Sequence, residues 1–252
     1  MEKNVILRAD DLGFSEAVNL GIAKTIEDGP VRTAGLMVNM NAAEHGLKLI
    51  KGRDVCLGLH SNISVGQPVC CPSDIPTLVD DNGVFHSSAR YRSGGDFACC
   101  EDLYREITAQ YRLYLEMTGS KPSYFEAHAV MCKNLDKVLR QIAREQGLLF
   151  QPPFMDMEVN GIQVKMCAMH SMDEVYDAKA AIREELSLIN DGHYYVYVCH
   201  PGYLDSYVWN HSSLRVPRMS ETEMLCDPGL KAWMEASHVR IRTYDDLSPT
   251  VF

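Results

Sequence analysis

Short, almost continuously apolar runs alternate along this chain with longer segments in which apolar residues recur every three or four positions. Apolar runs of this length, rich in β-branched and aromatic residues, are typical of strands that are covered on both faces, as in a parallel sheet. The pattern predicts seven strands, at residues 4–9, 33–39, 55–60, 123–128, 148–151, 194–199 and 239–244.

The segments between these strands show helical periodicity. After the first strand, Ser15 is a candidate N-cap, and Val18, Ile22 and Ile26 follow at four-residue spacing. The helix predicted at 171–190 is expected to turn Val175 toward the core. Further helices are predicted at 42–51, at 101–118, from Asn134 to Gly147, at 171–190, and from Asp227 onward after a capping-box pattern at Ser220 and Glu223.

Strands that alternate with helices form right-handed βαβ units. The chain is therefore predicted to be α/β, a single domain over residues 1–252 with a distorted or incomplete (β/α) barrel of about seven parallel strands. An open doubly wound sheet is the alternative. Two polar insertions, at 63–100 and 201–219, interrupt the alternation. Loops of this length usually have a function, so these two are expected to wall or cover a binding site.

Composition narrows the choice of partners and compartment. The chain has 252 residues, 46% of them hydrophobic, and a net charge of -10. An acidic surface repels nucleic acid and anionic membranes, so neither is expected as a partner. We expect a cytoplasmic protein, because no apolar stretch has transmembrane length, the charged start is unlike a signal peptide, and the nine cysteines form no C-x-x-C pair.

Acids, amides and histidines gather at the predicted carboxyl ends of the strands, where active sites of parallel α/β folds form. Any single residue of this kind can be explained by structure alone. An Asp-Asp-Leu-Gly turn suits the start of a helix, and a lone histidine usually only makes a hydrogen bond. The repetition of an acid or a histidine at the ends of the first, third, fourth and sixth strands favours a shared site. The residues concerned are Asp10, Asp11, Asn39, His60, Asn62, Glu126, His128 and His200.

Two histidines and one carboxylate from three strands can form a metal site with open positions. We interpret Asp11, His60 and His128 as ligands of one divalent ion, with magnesium or zinc expected. Asp10 would then be the general base and His200 the general acid of a hydrolysis. The residues predicted to bind substrate are Asn39, Asn62, Glu126, Tyr203 and Trp209.

An ordered set of motifs along nearly the whole chain resembles the YdjC-like carbohydrate deacetylases, which include the chito-oligosaccharide deacetylases. The motifs are ADDLGF at 9–14, VNLGI at 18–22, LMVNM at 36–40, LGLHSNIS at 57–64, EITAQYRLY at 106–114, KPSYFEAH at 121–128, CHPGYLD at 199–205, RMSETEML at 218–225 and TYDDL at 243–247. The resemblance implies a distorted barrel, a homodimer and metal-dependent removal of an acetyl group from an N-acetylated sugar. It also assigns the same ligands, base and catalytic histidine.

Three positions depart from the pattern usual in that family. Arg8 stands where Asn is usual, Glu126 where Asp is usual, and Val130 where a second histidine is usual. The valine removes a polar group near the expected metal, which bears on how a sugar is held. Two other functions stay open: hydrolysis of another amide, ester or phosphoester bond, and sugar binding without catalysis.

Overall fold

The computed structural model of the chain describes residues 1–94 and 96–247, in which one curled sheet is flanked by helices. The strands are β1 Lys3–Leu12, β2 Thr33–Leu36, β3 Cys56–Ser61, β4 Phe125–Ala127, β5 Met157–Val159, β6 Ile162–Met166, β7 Tyr194–Cys199 and β8 Val239–Ile241. The α-helices are α1 Glu16–Glu27, α2 Ala43–Ile50, α3 Ser88–Arg92, α4 Cys100–Thr118, α5 Lys133–Gln146, α6 Ala178–Leu188, α7 Ser206–His211, α8 Val216–Leu225 and α9 Pro228–Ala236. None of these helices is long and apolar enough to cross a membrane.

The order of the strands is β4-β3-β2-β1-β7-β6-β5, with β8 also paired to β1. Only β5 and β6 pair antiparallel among the named strands. One edge of β1 pairs with β7, and the other is shared between β8 near Val5 and β2 near Ala9. Within the described residues the path runs from β4 to β5 without closing. The predicted incomplete barrel is confirmed.

Strand β1 shows why the apolar runs are almost continuous. Its odd-numbered residues Val5, Leu7 and Ala9 belong to the large core between the sheet and the helices. Ile6 faces the opposite way, into a smaller cluster inside the barrel that includes Tyr124. Because side chains alternate along a strand and both faces are covered, every position of β1 from Val5 to Leu12 is buried.

The segment after β4 differs from the prediction. Residues 148–151 were predicted as a strand, but only an isolated bridge between Phe125 and Phe150 forms there. The chain instead makes a hairpin of β5 and β6 that the apolar pattern missed. Asn160 and Gly161 turn it with φ angles of 51° and 80°. An Asn-Gly pair between short apolar runs is a known hairpin signal, so the local sequence did indicate this hairpin.

Several helix starts also differ. The N-cap Ser15 is confirmed, with its side chain accepting from the Val18 amide at 3.2 Å. By contrast, α6 starts seven residues later than predicted because Asp177 caps it, and Val175 lies outside it with 89% of its surface exposed. The predicted capping box is wrong because Ser220 lies inside α8. Helix α5 begins after Cys132 and not after Asn134, whose amide donates to Ala98 O.

The described residues of the two insertions pack against the barrel. The first carries a 3-10 helix at Pro72–Asp74 and α3, and the buried Glu106 carboxylate accepts hydrogen bonds from the amides of Val69 and Cys70. The second carries α7 and the start of α8. Helix α8 thereby comes to lie beside the carboxyl ends of the central strands.

Candidate metal and active site

The three predicted metal ligands meet at the carboxyl ends of the strands. Asp11 Oδ1 lies 3.1 Å from His60 Nε2 and 2.9 Å from His128 Nδ1, and the two ring nitrogens are 3.1 Å apart. Asp11 comes from β1, His60 from β3, and His128 directly follows β4. Asp11 and His60 are buried, whereas 14% of the His128 side chain is exposed. A ligand therefore reaches the cluster from the side of His128.

A backbone irregularity allows β1 to present two adjacent aspartates. The strand does not end at residue 9 but continues to Leu12, and its register with β2 shifts between Ala9 and Leu12. Asp11 adopts a left-handed φ of 74°. Regular alternation would send Asp10 and Asp11 to opposite faces. The left-handed residue redirects the Asp11 carboxylate to the cluster, and aspartate is among the residues that adopt this conformation most readily.

The donor set fits a single divalent cation. One carboxylate oxygen and two imidazole nitrogens are common metal donors, with bonds of about 2.0–2.2 Å to zinc. The three donor atoms lie 2.9–3.1 Å from one another, which is close enough for them to bind one ion together. Open positions would remain for water and substrate.

Buried charges orient two of these ligands. Glu126 makes a hydrogen bond to His60 Nδ1, so that Nε2 faces the cluster. Arg218, on α8, donates to Asp11 Oδ2 over 2.6 Å and leaves Oδ1 for the cluster. Groups of this kind fix the tautomer and orientation of metal ligands. Glu126 was predicted to bind substrate, but it is 2% exposed and lies behind His60. Arg218 was not predicted, although the RMSETEML motif contains it.

Asp10 is held by Arg8 in the interior of the barrel. Arg8 donates to both carboxylate oxygens, from Nε over 2.7 Å and from Nη2 over 2.8 Å. Its Nη1 donates to the Tyr244 hydroxyl, and Nη2 lies 3.7 Å from Glu126. Asp10, His60 and Glu126 form a second group of close donors. In this second group, the Arg8 guanidinium supplies the positive charge that faces the carboxylates of Asp10 and Glu126.

Two glycines leave room for this buried polar layer. A Cβ on Gly58 would lie 2.3 Å from the ring of Tyr124, and one on Gly35 would lie 3.1 Å from His60 Cβ. Tyr124 in turn stacks on Tyr244, with ring centroids 4.2 Å apart. Side chains at these two positions of β2 and β3 would displace the groups beneath the cluster.

The electrostatics keep the Asp11 carboxylate ionised. Burial acts to raise its pKa, but Arg218 and His128 outweigh that effect and hold the pKa well below its usual range. Burial likewise acts to lower the pKa of His60, and the neighbouring Glu126 and Asp10 overcome it and raise the pKa to about 10. A metal requires the ionised carboxylate and a neutral imidazole, so metal binding at neutral pH would release the proton from His60.

His200 follows β7 and is fixed through its backbone. Its N–H donates to the buried carboxylate of Glu221, which also accepts from the Tyr176 hydroxyl at 2.8 Å. Burial lowers the pKa of His200 to about 4, against the opposing effect of Asp11 and Asp10. Burial also raises the pKa of Glu221 to about 7. The Nδ1 atom of His200 has no hydrogen-bond partner among the described residues.

The predicted substrate-binding residues separate into different places. Asn62 donates to Asn39 Oδ1 and to Val65 O, so its amide shapes the loop after β3. Asn39 donates to that loop as well and lines a cavity whose wall includes Phe14 but none of the three ligands. Tyr203 lines another cavity, between α1, α6 and α8, whose lining contains none of the three ligands. Trp209 is exposed on α7 under the Arg215 guanidinium.

Comparison with known proteins agrees with the family resemblance of the sequence motifs. The family model described as YdjC-like protein matches residues 4–236. Carbohydrate deacetylase 2 of Listeria innocua is 27% identical over 96% of this chain and 98% of its own length. The carbohydrate deacetylase of Geobacillus stearothermophilus is 30% identical over 97% and 98%, respectively.

Among solved structures, a putative cellobiose-phosphate cleavage protein from Enterococcus faecalis V583 superposes with a TM-score of 0.85 at 20% identity. The superposition covers 99% of this chain and 100% of that protein, and it supports the fold. The resemblance read from the motifs is confirmed. Since the family model spans nearly the whole chain, this protein belongs to the YdjC-like protein family.

Proposed function

We propose that this protein is a metal-dependent carbohydrate deacetylase that removes the acetyl group from an N-acetylated sugar or short oligosaccharide. The observation that carries the proposal is the convergence of Asp11, His60 and His128 at the carboxyl ends of the strands, where His128 is open to solvent. The two relatives described above are named carbohydrate deacetylases and align with nearly the whole chain, which supports the same activity.

Asp11 Oδ1, His60 Nε2 and His128 Nδ1 would hold one divalent ion, with magnesium or zinc expected. When bound, such an ion polarises the acetyl carbonyl and lowers the pKa of a water molecule. Glu126 keeps His60 in the required orientation, and Arg218 does the same for Asp11. These contacts preorganise the donors before substrate arrives.

Asp10 and His200 are proposed to move protons. Asp10 would accept the proton of the attacking water, with its carboxylate oriented by the two hydrogen bonds from Arg8. His200 would protonate the departing sugar amine. Its pKa of about 4 means that the resting imidazole is neutral at neutral pH. The proton that Asp10 takes from the attacking water would therefore have to pass to His200 before His200 can donate it to the amine, so that the transfers balance.

Acetate release tests the activity directly. The protein should release acetate from N-acetylglucosamine or its short oligomers when supplied with magnesium, zinc, manganese or cobalt. Other amide, ester and phosphoester substrates should react more slowly. Acetate release from none of the sugars would contradict the proposal, and turnover of a phosphoester in its place would assign the other hydrolase function.

Two variants separate metal binding from catalysis. His128→Ala should reduce bound metal in elemental analysis, because a ligand is lost. Asp10→Asn should retain the metal and lower kcat by about 100-fold or more, a typical loss for a general base. Glu116→Gln, an exposed change on α4, is the matched control and should behave as the wild type. Full activity of Asp10→Asn would remove Asp10 as the base.

Three further sequence predictions stay predictions. The expectation of a single domain over residues 1–252 is kept, as are a homodimer and a cytoplasmic location. Size-exclusion chromatography with light scattering would measure the oligomeric state, and a monomer at micromolar concentration would contradict the dimer.

A further inference from the structure

The backbone N–H of His200 lies just beyond the end of a strand ladder. Parallel pairing between β1 and β7 ends with Ala9 opposite Cys199, and His200 is the next residue. Its N–H donates to the carboxylate of Glu221, on α8. Pro201 follows and has no N–H to donate. Glu221 thus takes the place of a neighbouring strand at this point of the backbone.

The imidazole ring of His200 depends on this backbone contact. Among the described residues, its Nδ1 atom is buried and has no hydrogen-bond partner. The second ring nitrogen of a functional histidine usually makes a hydrogen bond that orients the ring, as Glu126 does for His60. At His200 the direction of the ring therefore follows from the position of the backbone that carries it.

Glu221 is held through both of its carboxylate oxygens. Oε2 accepts from His200 N, and Oε1 accepts from the Tyr176 hydroxyl at 2.8 Å. Glu221 is buried, which shields both contacts from water. Burial and the adjacent carboxylate raise the pKa of Tyr176 far above its usual range, so its hydroxyl remains a donor at neutral pH. The carboxylate therefore has one preferred orientation.

Tyr176 lies on the segment between β6 and α6, residues 167–177, which is anchored to α6. The Ala168 N–H donates to Glu185 Oε2 at 3.0 Å, and His170 Nε2 lies 3.0 Å from Glu185 Oε1. Asp177 then caps α6. These contacts fix the segment against α6, so Tyr176 constrains Glu221 from outside α8.

Helix α8 holds the predicted metal ligand and His200 at the same time. Arg218 Nη2 donates to Asp11 Oδ2 at 2.6 Å, and Glu221 stands three positions later on the helix. Residues three apart lie on one face of a helix. The helix thus sets His200 relative to Asp11, and a rotation of the Glu221 side chain would change that relation.

We propose that Tyr176 and Glu221 are positioning residues, which hold the backbone of His200 so that its imidazole reaches the departing amine. The inference rests on the proposed deacetylase function and adds two residues that act through His200. Tyr176 lies outside all the motifs that carry the family resemblance, whereas Glu221 lies within RMSETEML. A proton donor must come within hydrogen-bond reach of its acceptor, so a displaced His200 costs turnover and not substrate binding.

Removing the Tyr176 hydroxyl tests this arrangement with the least change. In Tyr176→Phe, Glu221 keeps only its contact with His200 and can rotate. A misplacement of about 1 Å can cost about 100-fold in rate, so we expect kcat for acetate release from N,N′-diacetylchitobiose to fall by about 10-fold. KM and bound metal should stay within about 2-fold of the wild type, because neither the metal ligands nor the ground-state contacts change. Tyr104→Phe is the matched control, since it removes an exposed tyrosine–glutamate hydrogen bond of 2.7 Å, and it should keep the wild-type kcat.

Variants of the carboxylate test the second residue. Glu221→Ala removes both contacts and should lower kcat at least as much as Tyr176→Phe does. Glu221→Gln should restore kcat to within about 3-fold of the wild type, because glutamine can accept from His200 N and donate to Tyr176. Glu223→Gln, an exposed change on the same helix, is the control and should keep the wild-type kcat.

The His200 amide reports the arrangement without turnover. In ¹⁵N-labelled protein, the amide proton of His200 should shift in Tyr176→Phe and should exchange with solvent about 10-fold faster, because local opening becomes easier. The same signal should keep its wild-type shift and exchange rate in Tyr104→Phe.

The outcomes separate this inference from the proposed function. An unchanged kcat in folded Tyr176→Phe would overturn the inference and leave deacetylation intact. Loss of metal from that variant, or a change in KM as large as the change in kcat, would also overturn it, since the pair would then have only a structural role. If the wild type releases acetate from no sugar, the proposed function fails, and the His200 amide decides the inference: a wild-type signal in Tyr176→Phe would refute it.

Discussion

Two buried carboxylates hold the histidines of the site in place. Glu126 bonds to the side chain of His60, while Glu221 bonds to the backbone of His200 and to Tyr176. The first carboxylate stays ionised because His60 and Arg8 overcome the burial that would raise its pKa. Glu221 makes no ion pair among the described residues, so burial outweighs its hydrogen bonds and the charge of Arg218 and raises its pKa to about 7. At the scale of residues, the pKa values of Glu126 and Glu221 shift in opposite directions because their neighbouring groups differ, and not because one is buried more deeply.

This difference predicts a pH dependence of stability. The carboxyl of Glu221 has a pKa of about 7 in the folded protein against an ordinary 4.5. The folded state therefore holds a proton that the unfolded state releases. The stabilisation that comes from the raised pKa of Glu221 is fully present below pH 4.5 and is lost as the pH rises through 7. Glu221→Gln should reduce the loss of unfolding free energy between pH 5 and pH 8 by about 2–3 kcal/mol.

Urea unfolding at the two pH values, with chelator present throughout, measures that difference. The Gln side chain can accept from His200 N and donate to Tyr176, so the local contacts are retained. Glu116→Gln should keep the pH slope of the wild type. A variant at residue 221 with an unchanged slope would contradict the elevated pKa.

At the scale of elements, α1 and α8 enclose the loop that begins at His200. Tyr203 N donates to Ala17 O at 3.0 Å, and Gly202 N donates to Arg218 O at 3.2 Å. Gly21 of α1 faces Gly202 so closely that a Cβ at residue 21 would lie 2.4 Å from Gly202 Cα. Glycine is needed at residue 21 because backbone approaches backbone at this point.

Gly21→Ala should therefore destabilise the protein. Alanine is the better helix former by about 1 kcal/mol. Overpacking against a rigid backbone costs typically about 1–3 kcal/mol. We expect a net loss of about 1–2 kcal/mol in chemical denaturation, with reduced kcat because the loop carrying His200 is displaced. Gly229→Ala in α9 is the control, since only the Asp227 side chain lies near it. A more stable Gly21→Ala variant would contradict the close contact.

At the scale of the whole molecule, the site joins distant parts of the chain. The ion pair between Asp11 and Arg218 spans 207 residues, and Asp11 and His60 are separated by 49. Strands β1 and β3, the loop after β4, and α8 must all be in place before the cluster exists. A cation that binds the cluster binds only the folded state, so its binding free energy adds to global stability.

Metal removal should accordingly lower the melting temperature. At a metal concentration 100 times Kd, binding stabilises by about 2.7 kcal/mol. For a chain of this size we expect chelation to lower Tm by about 5–10 °C. Differential scanning calorimetry with and without chelator measures the shift, and added magnesium or zinc should restore it. His128→Ala should show little response to chelator, whereas an equal shift in that variant would place the metal elsewhere.

Much of the fold could be predicted from the sequence because it depends on local patterns. Continuous apolar runs locate β1, β3 and β7, and four-residue spacing after Ser15 locates α1. The prediction was wrong where a weak apolar run at 148–151 was taken as a strand and the Asn160-Gly161 turn was not used, and where Asp177 starts a helix later than the periodicity indicates. In these places apolar periodicity alone did not identify the turn or the cap.

The sequence by itself determined the strand-end positions of Asp10, Asp11, His60, His128 and His200, because each directly follows an apolar run. Only the tertiary structure decided what each one contacts. The left-handed turn at Asp11, the pairing of Arg8 with Asp10 and the place of Glu126 behind His60 depend on strand register. Arg218 and Glu221 reach the site from a helix about 200 residues away from Asp11. Spacing along a chain cannot show such contacts, because they arise only when the sheet curls and α8 packs over its edge.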